Sequence, residues 1–312
     1  MRLFISVLFL GLCSYAAPSA RCIYEAEKKI NMPPQRDQGA TGFCYGFAAT
    51  ALLQNHYCTA APKTECHFED DSLSVLDVMA QGNYGNGGLI HRGYPFEMLE
   101  SISRSKSVSL ESCAPFSPFL ESNDNIWKST VSTAKIKYDL CRDKTIADQL
   151  KTQLKLRASS QEILFALGYS DYSIMMSKIF IPKECENKKI KIPAYTIKKS
   201  SIKEFSHYKE KLIELLNQDK PIIASICSFT STRQNMDCSK SLHSLVVSGY
   251  RKKCCAGVCE TQFQMYDSAR PNTFKKNEIT TDDWVSEVVF KNRVEAYNRM
   301  NRGDNLLWIE SK

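Results

Sequence analysis

The segment that most restricts the fold is Cys44 to Tyr57, CYGFAATALLQNHY. It is apolar and alanine-rich and holds no Asp, Glu, Lys or Arg. That is the composition of a helix enclosed by protein rather than one lying at a surface. A cysteine heads the run, and the turn-forming stretch RDQGATG, Arg36 to Gly42, precedes it. The chain is therefore predicted to place one thiol in the first turn of a buried helix, with the remaining elements packed around it.

Those elements separate by position. Helices are predicted at Leu73 to Met79, Pro95 to Ile102 and Lys209 to Asn217, and over Asp282 to Arg302. Strand-like runs are Pro221 to Ile226, Ser244 to Tyr250, Thr261 to Tyr266 and Leu306 to Ile309. Between Cys113 and Ser200 the composition turns polar and basic. Within that tract Ile146, Leu150 and Leu154 share a helical face, and Ser159 with Glu162 forms a capping-box pattern that Gly168 stops. No repeat or low-complexity segment is present. Helices early and strands late predict an α+β protein with segregated lobes, and the length suits one two-lobed unit or two domains.

The first residues read as a secretory signal. Arg2 supplies the charge, Leu3 to Leu12 the apolar core, and Ser14-Tyr15-Ala16 the cleavage site, with a cut after Ala20 as the alternative. The apolar core is shorter than a bilayer span, so a secreted or periplasmic protein is expected, with no membrane association after signal removal. Thirteen cysteines then become a disulfide question. Removing Cys13 leaves twelve, so a free Cys44 requires at least one further unpaired thiol or an outward bridge. Cys58/Cys66 and Cys227/Cys238 bracket short loops as local pairs, whereas Cys254, Cys255 and Cys259 crowd one predicted hairpin without an assignable partner. The spacings Cys254-Cys255-x3-Cys259 and Cys66-His67 match no standard zinc frame, so no metal is expected. Lys and Arg number 41 against 34 Asp and Glu. The basic residues are interspersed with acids and lack an aromatic ladder, which argues against nucleic acid as a partner.

The turn before Cys44 carries chemistry. A thiolate, not a thiol, is the nucleophile, and a helix N-terminus with a nearby imidazolium lowers the thiol pKa. Gly42 is expected to let the backbone enter the helix tightly. Gln38 offers an amide that, with the Cys44 backbone N–H, would form an oxyanion hole.

Asp37-Gln38-Gly39-Ala40-Thr41-Gly42-Phe43-Cys44-Tyr45-Gly46-Phe47-Ala48 resembles the nucleophile segment of papain-like, cathepsin-type cysteine peptidases. Tyr84-Gly85-Asn86-Gly87-Gly88, followed by Gly93-Tyr94-Pro95, is similar to that family's glycine-rich substrate wall. Leu242 to Tyr250 is similar to its histidine strand, and Gln218 to Ile226 to the turn and strand before it. Met265-Tyr266-Asp267-Ser268 falls where the family carries its asparagine-serine pair. The resemblance implies a papain-like fold, a helical N-terminal lobe and a β-rich C-terminal lobe with the cleft between them. It implies hydrolysis of a peptide or protein substrate without a cofactor. It assigns Cys44 as nucleophile, His243 as general base, Asp267 as the residue orienting the imidazole, Gln38 as oxyanion donor, and Asn86, Gly87 and Gly88 as substrate contacts.

Several positions depart from the family pattern. Thr41 and Gly85 stand in place of two cysteines that bridge each other, Tyr45 in place of Trp, Asp267 in place of Asn, and Ala269 in place of a shielding Trp. Without that Trp, Asp267 is expected to stay ionised through access to water. From Cys44 to His243 is 199 residues, against ~130–150 in the signature. Cys113 to Ser200 is the natural place for the excess, as an insertion packing on the rim of the cleft. Residues 17–32 are too few for the family's inhibitory propeptide. The rival readings are a transglutaminase-type acyl transferase and a degenerate peptidase fold kept for binding.

Overall fold

The computed structural model describes residues 22–39, 41–60, 68, 71–82, 93–120, 124–228, 238, 242–269, 273–300 and 303–312. Helix α1 spans Cys44–Ala60, and every residue from Cys44 to His56 is buried. Its polar residues are satisfied locally: Gln54 accepts from the Leu73 N–H at 2.6 Å and donates to the Asp71 carbonyl at 3.0 Å. Asn55 donates to the Asn31 carbonyl at 2.8 Å. A buried helix tolerates such side chains only when they find partners.

One side of α1 meets helices α2 (Val75–Gly82) and α3 (Pro95–Ser105). The other meets a seven-stranded antiparallel sheet. Its strands are β1 (Cys22–Lys29), β4 (Tyr195–Ser200), β5 (Ile222–Cys227), β6 (Leu242–Cys255), β7 (Val258–Tyr266), β8 (Trp284–Ser286) and β9 (Leu306–Ser311). They run β4-β9-β5-β6-β7-β8, with β1 added beside β6. Strand β6 is long enough to serve two neighbours along one edge: Leu242 to Val247 pair with β5, and Gly249 to Cys255 with β1. The short strands β2 (Ser107–Val108) and β3 (Ile190–Lys191) pair separately.

Central strands of the sheet are covered on both faces, which is why they read as continuous apolar runs. Ile223, Val246, Leu307 and Ile309 pack into the core shared with α1. Ile222, Ala224, Leu245, Val247, Leu306 and Trp308 pack into a second core with helices α9 (Phe205–Asn217) and α10 (Glu287–Asn298). This period-two division is the strand pleat expressed as two cores.

Most predicted elements are present, and the differences are physical. Asp282 to Arg302 is not one helix: Trp284–Ser286 adds β8 to the sheet, and only then does Ser286 cap α10 through its hydroxyl. Strand β1 contributes to the late-strand sheet from the start of the described chain, because β6 leaves an edge open beyond β5. The tract 113–200 ends in β4, a member of that sheet. Before β4 it forms α4 (Ser117–Leu120), α5 (Asp124–Cys141), α6 (Thr145–Gln153), α7 (Ser160–Leu167) and α8 (Tyr172–Phe180). Apolar residues of α5 to α8, including Val131, Leu150, Ile163 and Met176, join the core around α1 rather than building a separate one. The capping box at Ser159 and Glu162 is formed.

Disulfides join Cys22 to Cys255, Cys113 to Cys185, Cys227 to Cys238 and Cys254 to Cys259. Cys58 is also bridged. Among the described residues Cys44 and Cys141 are free, the first buried and the second exposed, which meets the parity expectation. The bridge between Cys254 and Cys259 also removes both sulfurs as thiolate ligands for zinc.

At Gly46 helix α1 approaches α2 closely: a Cβ there would lie 2.4 Å from Met79 Cγ. Gly46→Ala should therefore overpack this contact and destabilise the protein by about 1–3 kcal/mol. Denaturant unfolding with an unchanged midpoint would show that Met79 yields without strain.

Candidate active site

The segment between β1 and α1 is fixed from both sides. Tyr266 donates its hydroxyl to the Pro34 carbonyl at 2.7 Å, and the Gln35 amide donates to the Asp267 carbonyl. Arg36 reaches the other way, donating to the Leu73 carbonyl at 2.8 Å and pairing with Glu111 at 3.2 Å. Gly39 adopts φ +60° to close the turn, a conformation suited to glycine, and its N–H bonds Asp37 Oδ1 at 2.7 Å.

Gln38 sits buried inside this turn. Its N–H donates to the Ser268 carbonyl at 2.9 Å, and its Oε1 accepts from the Ser268 hydroxyl at 2.7 Å. That second bond assigns the amide orientation and directs Nε2 to the Thr41 carbonyl, 2.6 Å away. An amide nitrogen has two protons, so one remains for a ligand. Thr41 donates its hydroxyl to the Gln38 carbonyl at 2.6 Å. It holds by hydrogen bonding a turn whose family counterpart is anchored by a disulfide.

Cys44 is the first residue of α1, where the backbone N–H has no intrahelical acceptor. His243 lies near the start of β6, paired across the ladder with Ile226 of β5. Asp267 directly follows β7. His243 Nε2 donates to Asp267 Oδ1 at 2.7 Å, both residues being buried. The ring also hydrogen-bonds the Cys44 sulfur. With Nε2 committed to Asp267, Nδ1 is the nitrogen that faces the thiol.

Electrostatics favour the ionised forms. Burial pushes the Cys44 thiol up, but the His243 charge, the hydrogen bond to its ring and the Ser244 N–H together hold it below its ordinary value. Burial alone would pull His243 down. The Asp267 and Cys44 charges and their hydrogen bonds outweigh it and raise the imidazole to about 10. Asp267 is lowered against its own burial, first by the His243 charge and then by hydrogen bonds that include the Ala269 N–H at 2.9 Å. A buried ion pair persists only with such partners.

Cys44, His243, Asp267 and Gln38 thus converge from four chain segments. Asn86, Gly87 and Gly88 lie outside the described residues. Two expectations need correction. Gly42 is not a tight approach, since a Cβ there would meet nothing within 4 Å; closeness is needed at Gly46 instead. Nor does Asp267 stay ionised through access to water, because it is 1% exposed; hydrogen bonds and the imidazolium do it. Two contributors escaped the sequence reading. Ser244 acts through its backbone N–H, which no side-chain pattern reports. Thr273, buried with its hydroxyl 3.2 Å from His243 Nε2, sits in an irregular segment without periodicity.

A family model described as papain family cysteine protease matches residues 22–254. No curated protein matches the chain. Among solved structures it is similar to xylellain, a cysteine protease from Xylella fastidiosa, at 12% identity, with 93% of this chain and 87% of that one covered and a TM-score of 0.46. It is also similar to procathepsin B S9 from Trypanosoma congolense, at 9% identity, with 89% and 71% covered and a TM-score of 0.45. The family match runs from β1 through the turn before Cys44 and nearly to the end of the strand that carries His243, so the chain belongs to the papain family of cysteine proteases.

Proposed function

We propose that this cysteine-type peptidase is an exported enzyme that hydrolyses peptide bonds of peptide or protein substrates through Cys44, His243 and Asp267, with Gln38 as oxyanion donor. The observation that carries the reading is the buried chain of hydrogen bonds from Cys44 through His243 to Asp267. The Cys44 thiolate attacks the carbonyl carbon, and the His243 imidazolium gives its proton to the departing amine. Water then attacks the thioester with His243 as base, releasing the acid and restoring the ion pair. The Gln38 amide and the Cys44 N–H stabilise the oxyanion of each tetrahedral intermediate. Asp267 keeps the ring in the tautomer and orientation that serve both steps. Export to a secreted or periplasmic location accords with the disulfides, and among the described residues no helix is long and apolar enough to cross a membrane.

Labelling with a peptidyl epoxysuccinate and mapping by mass spectrometry should place the modification on Cys44, competed by peptide substrate. Absence of label on the folded protein between pH 5 and 8 overturns the nucleophile, and label placed only on the exposed Cys141 does the same. Gln38→Ala should preserve labelling and lower turnover roughly 10- to 1000-fold. An unchanged rate would mean the amide points elsewhere.

The ion pair exists above the thiol pKa and below the imidazole pKa, so the alkaline limb of the pH–rate profile reports His243. Asp267→Asn keeps an acceptor for Nε2–H but removes the charge that raises His243. Substantial activity should remain, with the alkaline limb moved to lower pH, and Asp267→Ala should lose more. An Asp267→Ala enzyme matching the wild type in turnover and pH profile would leave Asp267 as an ordinary buried acid.

A further inference from the structure

One buried side chain outside the proposed triad faces it directly. Thr273 is 2% exposed, and its Oγ1 lies 3.2 Å from His243 Nε2. We propose that Thr273 is a positioning residue for the His243–Asp267 pair: its hydroxyl gives Nε2 of the imidazole a second fixed partner and the carboxylate a proton donor. This rests on the Cys44–His243 reading given above.

The hydroxyl can serve both groups because it accepts through its lone pairs and donates one rotatable proton. Nε2 carries a proton, since it bonds a carboxylate, so Thr273 Oγ1 meets it as an acceptor. The hydroxyl proton is then free for Asp267. Oδ1 of Asp267 already accepts from His243 and from the Ala269 N–H. Oδ2 is buried and has no hydrogen-bond partner among the described residues. A buried carboxylate oxygen left without a donor is costly, and Thr273, whose hydroxyl already lies against the ring bonded to this carboxylate, can supply one. The hydroxyl also helps lower the Asp267 pKa.

Thr273 is itself held in place. The next residue, Phe274, is buried beneath the Arg293 guanidinium, whose carbon lies 4.6 Å from the ring centroid. Arg293 on α10 donates to the Cys227 and Ser228 carbonyls at 3.2 and 2.7 Å and pairs with Glu278 at 2.6 Å. The guanidinium thereby connects the Thr273 segment to the end of β5, one residue beyond the His243 partner Ile226. Ala269 offers only a methyl group beside Asp267, so the work of fixing the pair falls to hydrogen bonds. A ring held by the Cys44 sulfur at one nitrogen and by a single acceptor at Nε2 can still tilt about the line joining them, and a second acceptor at Nε2 restrains that tilt.

The test is the pH dependence of Cys44 alkylation by iodoacetamide, read by mass spectrometry on the Cys44 peptide so that Cys141 does not contribute. A ring held less firmly stabilises the thiolate less, so the Cys44 pKa rises. Thr273→Val should move the acid-side inflection upward by about half a unit or more, with the rate at pH 5–6 falling roughly 3- to 10-fold. With peptide substrate, kcat should fall while KM stays unchanged, and Thr273→Ser should restore both profiles. A Thr273→Val profile that superimposes on the wild type overturns the proposal, as does a Thr273→Ser enzyme no better than the valine variant. Should the valine variant not fold, NMR of the wild type decides: the Nε2–H proton of His243 should show cross-relaxation to the Thr273 side chain, and its absence overturns the proposal. Failure of wild-type Cys44 to alkylate would instead remove the nucleophile reading itself.

Discussion

The bond between His243 and Asp267 is the constraint on which the rest of this structure turns. Two ionised groups are held within 2.7 Å of each other with almost no exposure to water. Taking both out of solvent costs several kcal/mol per ion unless their attraction and further hydrogen bonds repay it. Around them the protein supplies the Ala269 N–H, the Thr273 hydroxyl and the Cys44 sulfur. The first two follow β7 and the third heads α1. The pair is therefore stable only when α1, β6 and the segment after β7 are all in place, so the chemistry is a product of the folded state and not of any one motif.

This explains why the N-terminal turn is bonded so heavily to the residues after β7. Tyr266, Asp267 and Ser268 all hold the Pro34–Gln38 segment. Any shift of Asp267 relative to Gln38 would separate the proposed imidazole-orienting group from the proposed oxyanion donor. The same hydrogen bonds set the position of both. Arg36 then ties the turn to the helical lobe through Leu73 and Glu111. The turn before Cys44 is thus a joint between the sheet and the helices, and the absence of cysteine at Thr41 is met by a hydroxyl that closes the turn on Gln38.

Much of this was legible in the chain because its signals are local or periodic. The apolar Cys44 run required a buried helix, and the strand-like runs after Pro221 lie in strands of one sheet. The cysteine, histidine and aspartate segments could be located because each has its own short motif. What stayed hidden depends on distant partners. Strand β1 is polar and exposed along most of its length, and it becomes a strand because β6 has a free edge and Cys255 holds Cys22. Trp284–Ser286 reads as the start of a helix until β7 offers a ladder. Thr273 has no pattern at all: a single hydroxyl in an irregular segment acquires meaning only when the fold sets it beside His243.

Helix α1 belongs to the helical core, yet it lies against the sheet face formed by Ile223, Val246 and Leu307. Its first residue carries the thiol, and Gly46, two residues later, sets how closely α2 packs. Stability and chemistry are therefore coupled along one turn of helix. A substitution that pushes α1 away from α2 also moves Cys44 relative to His243, because β6 is pinned on its other face by the second core and cannot follow. Interiors packed at crystal-like density transmit such displacements rather than absorbing them. The helix is apolar on every side for this reason: it has to be gripped by both lobes at once, and only a grip from both sides keeps a sulfur at hydrogen-bond distance from a ring carried by a different core.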